Sequence, residues 1–252
     1  MNKAEDSLFL LGGYDLEMLT IRNLLESREV DYADRRLNWQ TAVASSYHKE
    51  ISEAEREGRT VYGIELREDM SLPPVYRRID HHDDLAHLPS ALEQVAEILH
   101  LPMDRRMQLV AANDRAYIPG MLRLGATAEE IEWIRRADRK AQGVTEEDER
   151  LAEKAIAENR EEVGDLYVVR AFNSRFSPVC DRLFPYRRLL VYTDSEWGYY
   201  GEKALQVAAL FKEEIGERKM FCGGGESGYV GTSKGRYSLE ELMEMIDKIK
   251  RL

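Results

Sequence analysis

Hydrophobic positions at the beginning of the chain follow first a strand pattern and then a helix pattern. The apolar run Leu8–Leu11 ends at Gly12-Gly13. After it, apolar residues recur at roughly helical spacing, at Leu16, Leu19, Ile21, Leu24 and Leu25. A strand, a glycine turn and a helix in this order are typical of the first unit of an α/β fold.

The following segments continue this alternation of helices and strands. A polar helical pattern covers about residues 39–57 and ends at Gly58. The β-branched and aromatic stretch Thr60–Leu66 predicts a second strand, and Val75–Asp80 predicts a short third one. Residues 104–124 predict a helix that is interrupted at Pro119-Gly120, because proline removes a backbone donor.

Capping sequences predict where further helices begin. In each of them a Ser or Thr is followed three residues later by Glu or Asp, which is the pattern of a capping box. They begin at Ser90, Thr127, Thr145 and Ser238. The helix after Thr145, over about 146–162, has few large apolar residues, so we expect a solvated connecting helix.

Strand patterns return in the last third of the chain. They cover residues 166–169, 189–192 and 219–222, and a helix pattern covers about 202–215. The predicted fold class is therefore α/β, with a parallel-sheet N-terminal domain, a helical connector and a smaller C-terminal α/β domain. We place the domain boundary so that the first domain covers residues 1–162 and the second covers 163–252.

Composition narrows the class of protein. The chain has 252 residues, 43% of them hydrophobic, which excludes a disordered chain. Its net charge of −11 argues against binding to duplex nucleic acid, which requires many Lys and Arg side chains. Cys180 and Cys222 are not spaced like the cysteines of zinc sites or of disulfide frameworks. The acidic start and the short apolar runs predict a soluble, cytoplasmic protein without a membrane segment.

The clearest candidate for chemistry is Asp80-His81-His82, where the third predicted strand ends. Imidazole and carboxylate groups suit Mn, Fe and Zn, and ligands of open parallel sheets bind at the carboxyl ends of the strands. Paired histidines beside acidic residues are also found on surfaces without any function. The tripeptide alone therefore leaves a metal site and an inert surface segment both open.

Acidic residues elsewhere favour the metal site. Asp15 and Glu17 follow the first strand, and Glu65 lies inside or near the end of the otherwise apolar second strand. Asp114 lies in a mostly apolar helical stretch. Each has a simpler explanation: Asp15 caps a helix, Glu65 is exposed on an edge strand, and Asp114 pairs with an arginine. Because a buried carboxylate is costly unless it is paired, one shared metal site explains the set better than separate coincidences.

A glycine cluster, Gly223–Gly231, follows the last predicted strand. Consecutive glycine N–H groups can form an anion-binding nest, so Gly223, Gly224 and Gly225 are candidates for substrate binding, with Lys234 supplying charge. The alternative is a flexible hairpin. No Gly-Lys-Ser/Thr follows, which excludes a nucleoside-triphosphate P-loop. Arg115 adjoins Asp114, and either clamps a phosphate or neutralises that aspartate.

In this order the motifs resemble the DHH phosphoesterase superfamily over about residues 8–125, and the glycine-rich end resembles its substrate-binding domain. The resemblance implies that carboxylates and the first histidine hold Mn²⁺ or Mg²⁺, which activates a water for attack on phosphorus. Matched by position, the implied metal ligands are Asp15, Glu17, Glu65, Asp80, His81 and Asp114.

The chain also departs from the family pattern. Leu11 stands where the family has a histidine, four residues before its first aspartate. Glu17 and Glu65 replace aspartates, and the interval between His82 and Asp114 is short. The loss of a nitrogen ligand leaves open whether the site holds one ion or two.

Two functions follow from the resemblance. The first is metal-dependent hydrolysis of a phosphoester or phosphoanhydride in a small nucleotide-like substrate, with His82 facing the phosphate and a cleft between Asp80–His82 and Gly223–Gly231. The second is a non-catalytic nucleotide- or metal-binding protein that has lost one metal site, which Leu11 favours. An exonuclease is disfavoured because no basic and aromatic track is evident. The sequence leaves open whether the chain forms a homo-oligomer.

Overall fold

The computed structural model describes residues 6–38, 41–224 and 228–252. It divides into two compact units, Met1–Gly143 and Val144–Leu252, each with its own sheet. The sequence pattern places the boundary later, after residue 162. Within the described residues, no helix is long and apolar enough to cross a membrane.

The first unit contains a parallel sheet over its described residues. Its strands have the spatial order β2-β1-β3-β4, and each pairs with its neighbours in parallel. Their bounds are β1 Ser7–Leu11, β2 Tyr32–Asp34, β3 Thr60–Ile64 and β4 Tyr76–Ile79. The predicted parallel sheet is confirmed, and β2 is an additional strand too short to show a sequence pattern.

Helices cover this sheet. Their bounds are α1 Leu16–Ser27, α2 His48–Glu57, α3 Ala91–Ile98, α4 Arg105–Arg123 and α5 Ala128–Ala141, with short 3-10 helices at Ala44–Tyr47 and Asp83–Leu85. The helix predicted from residue 39 begins only at His48, because Val43 forms a β-bridge with Arg67. Residues 39 and 40 lie outside the described residues. The predicted capping boxes at Ser90 and Thr127 are confirmed.

Helix α4 contains a kink, which positions one end of the candidate site. Ala116 and Tyr117 have non-helical backbone angles, and the φ of Tyr117 is 53°. The predicted interruption at Pro119 is displaced by two to three residues toward the N-terminus, because a proline disturbs the turn that precedes it. Asp114 therefore lies in the last regular turn before the kink.

The second unit is built on a mixed sheet. Its described strands have the order β5-β6-β7-β8-β10-β9; β6 and β7 pair in parallel and the other neighbours are antiparallel. The strands are β5 Arg160–Val163, β6 Leu166–Arg170, β7 Arg188–Tyr192, β8 Trp197–Gly201, β9 Met220–Gly223 and β10 Tyr229–Thr232. The helices are α6 Glu146–Asn159, α7 Ser177–Leu183, α8 Ala204–Leu210, α9 Lys212–Gly216 and α10 Leu239–Lys250.

Two predictions for this unit need correction. Helix α6 is not merely a solvated connector, because Ala152 and Ala155 are buried in a core cluster with strands β6 and β7. The helix predicted over 202–215 is divided into α8 and α9 at Phe211, whose ring is buried against Trp197. The capping boxes at Thr145 and Ser238 are confirmed.

Candidate metal centre

The candidate residues follow the carboxyl ends of three parallel strands. Asp15 and Glu17 come after β1, Glu65 comes directly after β3, and Asp80-His81-His82 comes directly after β4. Since these strands are parallel neighbours, their carboxyl ends lie at the same edge of the sheet. Helix α4 brings Asp114 to the same edge, where its Oδ2 atom lies 2.7 Å from His81 Nε2.

The backbone around Glu65 requires special residues. A Cβ atom on Gly12 would lie 2.3 Å from the carbonyl oxygen of Ile64 and 2.5 Å from that of Glu65, so only glycine allows this approach. Glu65 itself has a left-handed φ of 51°. Such a conformation costs of order 1 kcal/mol or more for a residue other than glycine, and it is commonest at functional sites.

Four side chains converge in the interior. Glu17, Glu65, His81 and Asp114 each offer one ligand atom, and these atoms all lie within 4.8 Å of one another. The Nε2 atom of His81 lies 2.7 Å from Asp114 Oδ2, 3.3 Å from Glu65 Oε1 and 3.8 Å from Glu17 Oε2. The exposed side-chain fractions are 5% for His81, 0% for Glu17 and 6% for Glu65, so three of the four are shielded from water.

The same four atoms lack hydrogen-bond partners among the described residues. Glu17 Oε2, Glu65 Oε1, His81 Nε2 and Asp114 Oδ2 are each buried and unpartnered. Although His81 approaches Asp114 closely, the contact is an electrostatic approach and not an aligned hydrogen bond. Buried polar atoms are normally satisfied, so four unsatisfied ones in mutual reach fit a bound cation.

Contacts behind the cluster hold the ligand atoms in place. The other carboxylate oxygen of Glu17, Oε1, accepts a hydrogen bond of 3.1 Å from the backbone N–H of Leu92, in the first turn of α3. The Oε2 atom of Glu17 is thereby directed toward His81. This arrangement resembles the orientation of metal ligands by neighbouring groups in known metal sites.

Burial and like charges alter the pKa values of these acids. Burial first, and then the charges of Asp114 and Glu65, raise the pKa of Glu17 well above its usual value. Burial also raises the pKa of Glu65, partly offset by His81. Burial lowers the pKa of the His81 imidazole, but Asp114 and Glu65 outweigh it and raise that pKa to about 10. Without a metal, the cluster therefore retains protons that a cation would displace.

Asp15 lies beside this cluster and does not belong to the group of four. Its Oδ1 accepts a hydrogen bond of 2.9 Å from the Met18 N–H, which caps α1 as the simpler explanation predicted. Burial, followed by the charges of Asp114 and Glu65, raises its pKa to about 8. Asp15 and Glu65 also line a small pocket of about 110 Å³. Its role as a metal ligand stays a prediction.

Asp80 orients its neighbours. Its Oδ1 accepts hydrogen bonds from the N–H groups of His81 and His82, at 2.8 and 3.0 Å, and lies 2.9 Å from His82 Nδ1. Its Oδ2 accepts two hydrogen bonds from Arg78. Burial alone would raise the pKa of Asp80, but these contacts with His82 and Arg78 lower it. Both oxygens are thus engaged, and the structure does not bring Asp80 into the group of four.

His82 borders the cluster from its more open side. Together with Glu65 and His81 it forms a second group that could hold a metal. Its ring packs against His81 with centroids 4.4 Å apart, and 31% of its side chain is exposed. Its Nδ1 atom lies 2.9 Å from Asp80 Oδ1, which fixes the orientation of the ring.

Two other candidates lie elsewhere. The Nη1 atom of Arg115 lies 3.9 Å from Glu93 Oε2, and its side chain is 41% exposed, so Arg115 pairs with Glu93 and not with Asp114. Leu11 is fully buried in β1, and its carbonyl oxygen accepts a hydrogen bond of 2.7 Å from the Tyr47 hydroxyl. No nitrogen ligand is available at the position of Leu11.

In the second unit, the described glycines of the cluster lie in or beside the antiparallel strands β9 and β10. Gly224 has a φ of 76°, and a Cβ atom there would lie 2.8 Å from Gly228 Cα. A Cβ atom on Gly228 would lie 1.8 Å from the Gly223 carbonyl oxygen. The fold thus requires these glycines, whatever they bind. Gly225 lies outside the described residues, and Lys234 lines a pocket of about 560 Å³ within this unit.

A buried network behind the site was not predicted from the sequence. Arg135 Nη1 donates hydrogen bonds of 2.8 Å to Asn113 and to Asp138, and Asp138 Oδ1 accepts one of 3.2 Å from the Leu16 N–H. The network connects α5 to Asn113 and Leu16, which are adjacent in sequence to Asp114 and Asp15. The spacing of Arg135 and Asp138 on one face of α5 is the sequence signal that points to it.

These pKa shifts predict how the metal-free protein responds to pH. Asp15 has a folded pKa of about 8 against 3.8 for the free side chain, so between these values the folded state binds more protons than the unfolded one. The free energy of unfolding in EDTA should therefore decrease as pH rises from 5 to 8. Thermal melts in EDTA test this, and added Mn²⁺ should raise the melting temperature more at pH 8 than at pH 6. A metal-free melting temperature that rises over this range would contradict the assignment.

Comparisons of sequence find no relatives, whereas comparisons of structure do. No protein-family model and no curated protein matches the chain. A DHH domain described as a member of a family of ribosomal proteins matches with a TM-score of 0.52 at 10% identity, over 99% of this chain and 88% of that one. The pGpG-specific phosphodiesterase PggH from Vibrio cholerae matches with a TM-score of 0.48 at 11% identity, over 98% of both chains.

A further match is the exonuclease RecJ from Thermus thermophilus in complex with Mn²⁺. The TM-score is 0.46 at 13% identity, over 98% of this chain and 52% of that one. Among these three, the likeness to the DHH domain exceeds a TM-score of 0.5. It shows the fold of this chain.

Proposed function

Because the chain has the fold of the DHH phosphoesterase superfamily, as its motifs predicted, we propose that it hydrolyses a phosphoester or phosphoanhydride bond in a small nucleotide-like substrate with the help of a divalent metal ion. One observation carries this proposal. Glu17, Glu65, His81 and Asp114 place four buried, unpartnered ligand atoms within 4.8 Å of one another, at the edge of the sheet where α/β folds bind ligands.

The donor set fits Mn²⁺ or Mg²⁺. Three carboxylates and one imidazole suit Mn²⁺, and the oxygen-rich set also suits Mg²⁺. A bound ion of this kind lowers the pKa of a water molecule and neutralises charge on phosphoryl oxygens. The overlapping group Glu65, His81 and His82 leaves room for either one ion or two.

The chain's own residues would then orient the substrate. His82, whose Nδ1 atom lies 2.9 Å from Asp80 Oδ1, would face a phosphoryl oxygen of the substrate and donate to it when the ring is protonated. Burial lowers the pKa of His82, but Asp80 outweighs it and the pKa is raised, which favours that donor form. Gly223, Gly224 and Lys234 of the second unit, and Arg115 of the first, stay candidates for substrate binding.

A second function is favoured by Leu11. Its buried leucine side chain stands where the family has a nitrogen ligand, so the chain would bind a metal or a nucleotide without hydrolysing it. Metal content separates the two functions. Two ions per chain would support hydrolysis, and none after growth with Mn²⁺ would support a binding protein that uses no metal.

The test is a screen of mono- and dinucleotides with Mn²⁺, Mg²⁺ and Co²⁺, in which Asp114→Asn is compared with the unchanged protein. The substitution keeps the side-chain shape and removes the charge of one ligand, so hydrolysis should fall by more than about 100-fold, the upper range for groups that only orient a ligand. The double variant with His81→Ala should be no worse than either single one, because ligands of one centre act as a unit. If neither protein hydrolyses any substrate and both bind a nucleotide, the binding protein is the correct function.

A further inference from the structure

Helix α5 carries a buried arginine, Arg135, that contacts helix α4 beside the metal centre. Only 9% of its side chain is exposed. Its Nη1 atom donates one hydrogen bond of 2.8 Å to Asn113 Oδ1 on α4 and another of 2.8 Å to Asp138 Oδ2 on its own helix. A buried arginine is costly unless its donors are satisfied, so these contacts fix where the guanidinium lies.

The same guanidinium packs on the kink of α4. Its central carbon lies 4.6 Å from the centre of the Tyr117 ring. Tyr117 has a φ of 53° and a ψ of −149°, a backbone conformation that residues other than glycine rarely adopt and that persists only where the surrounding structure imposes it. Asn113 and Tyr117 stand on either side of Asp114 in the chain. Arg135 therefore contacts α4 both before and after the ligand residue.

Through Asp138, the network also reaches the beginning of α1. The Oδ1 atom of Asp138 accepts a hydrogen bond of 3.2 Å from the Leu16 N–H. The first N–H groups of a helix have no partner within it, and here a carboxylate from another helix supplies one. Leu16 lies between Asp15 and Glu17 in the chain. Because Asp138 is only 5% exposed, water competes little for this contact.

The ligand residues of the centre differ in how they are held. Glu65 and His81 follow neighbouring parallel strands, and the Glu65 N–H donates to the Ile79 carbonyl oxygen at 2.8 Å. Hydrogen bonds between β3 and β4 therefore set the distance between these two residues. Glu17 and Asp114 come from two helices, α1 and α4, so the sheet does not set their distance. The buried pair on α5 is a contact that connects these two helices.

We propose that Arg135 is a positioning residue of the metal centre. Its contacts on both sides of Asp114 hold that ligand within reach of His81 Nε2, which lies 2.7 Å from Asp114 Oδ2. Through Asp138 it holds the beginning of α1, which carries Glu17. Arg135 acts through these residues and touches neither the ion nor the substrate. This role rests on the metal centre of the proposed function and is independent of which bond is hydrolysed.

The first experiment measures Mn²⁺ binding by calorimetry and thermal stability in EDTA for the variant Arg135→Lys. Lysine keeps the charge opposite Asp138, so no buried carboxylate is left unpaired, but it lacks the planar group that lies on the Tyr117 ring. The Mn²⁺ affinity of the folded variant should fall by about 10- to 100-fold, the range for groups that orient metal ligands. Arg123→Lys, at an exposed arginine of α4, is the matched control and should bind Mn²⁺ normally.

A second variant, Asn113→Leu, removes the same contact from the side of α4. Leucine has nearly the same shape and lacks the oxygen that accepts a hydrogen bond from Arg135. Its Mn²⁺ affinity should also fall, and the double variant with Arg135→Lys should be no worse than Arg135→Lys alone, because both substitutions act on one contact. With Co²⁺ in place of Mn²⁺, the visible absorption of both variants should differ from that of the unchanged protein, since it reports the coordination geometry.

A lower melting temperature in EDTA with unchanged Mn²⁺ affinity and Co²⁺ absorption in both variants would overturn the proposal, because Arg135 would then serve the fold alone. No Mn²⁺ binding by the unchanged protein would overturn it together with the proposed metal centre. If both variants bind Mn²⁺ more weakly and the unchanged protein hydrolyses no nucleotide, the positioning role stands and hydrolysis fails. If nucleotides are hydrolysed and both variants bind Mn²⁺ normally, hydrolysis stands and the positioning role is rejected.

Discussion

Replacing His81 with alanine is expected to abolish both metal binding and hydrolysis. His81 Nε2 lies within 3.8 Å of all three carboxylates of the cluster, so its loss removes the nitrogen ligand of the group of four. The loss should exceed the 10- to 100-fold that follows from removing a group that only orients a ligand. Calorimetry with Mn²⁺ and the rate of phosphodiester hydrolysis measure the two effects.

The matched control is His87→Ala. His87 follows in the same segment, but it is exposed and its Nδ1 atom lies 3.1 Å from the Asp84 carbonyl oxygen. Its replacement should leave Mn²⁺ affinity and rate unchanged. Because alanine at 81 also removes a cation that faces buried acids, the melting temperature with and without Mn²⁺ should be measured as well. A variant that still gains stability from Mn²⁺ as the unchanged protein does would contradict the assignment of His81 as a ligand.

Replacing Glu17 with glutamine should have opposite effects on stability and on metal binding. Glutamine keeps the shape of the side chain, and its oxygen can still accept the Leu92 N–H. It does not ionise, so the protein no longer has to hold a buried carboxyl whose pKa is raised by burial and by Asp114 and Glu65. The metal-free protein should therefore become more stable, whereas its affinity for Mn²⁺ should fall by more than about 100-fold because a ligand is lost.

The size of the stability change also depends on pH. A carboxyl group with a raised folded pKa loses its stabilising effect as pH increases, so the advantage of glutamine in EDTA should be larger at pH 8 than at pH 6. Each kcal/mol gained should raise the melting temperature by roughly 2–4 °C in a protein of this size. Glu97→Gln, an exposed glutamate on α3, is the control and should change neither property. A less stable variant in EDTA with unchanged Mn²⁺ affinity would show that Glu17 serves the fold.

The order of motifs in the sequence was sufficient to predict the fold and those residues of the centre that follow the ends of strands. Strand β1 is a short apolar run that ends before Gly12, and β3 and β4 each end at an isoleucine that precedes an acidic residue, so the sequence located their carboxyl ends to within about two residues. Because parallel neighbours end at the same edge, Glu65 and Asp80-His81-His82 could be expected there without any three-dimensional information. The capping boxes depend on contacts within four residues, which is why the helix starts at Ser90, Thr127, Thr145 and Ser238 were predicted correctly.

Predictions from short stretches of sequence were wrong or incomplete where contacts between distant residues decide the structure. The motif gives no reason to distinguish Asp80, His81 and His82. In the structure, the Asp80 carboxylate contacts Arg78 and His82, whereas His81 contacts Asp114 in the cluster. In the same way, Asp15 caps α1 and Glu17 points into the core, a difference set by the rotation between neighbouring positions of a helix. Helix α6 joined the second unit because its buried alanines allow close packing, which no single window of sequence reveals.

By itself, the sequence determined the α/β class, the parallel sheet and the presence of acids and histidines at strand ends, because these features depend on residues close together in the chain. Only the tertiary structure decided which four side chains meet, how the Arg135–Asp138 network connects Leu16 to Asn113, and that Arg135 packs on the Tyr117 ring. Those residues come from separate segments, and their side-chain directions are set by packing between elements. The distances and charges from which the function is proposed therefore exist only in the folded chain.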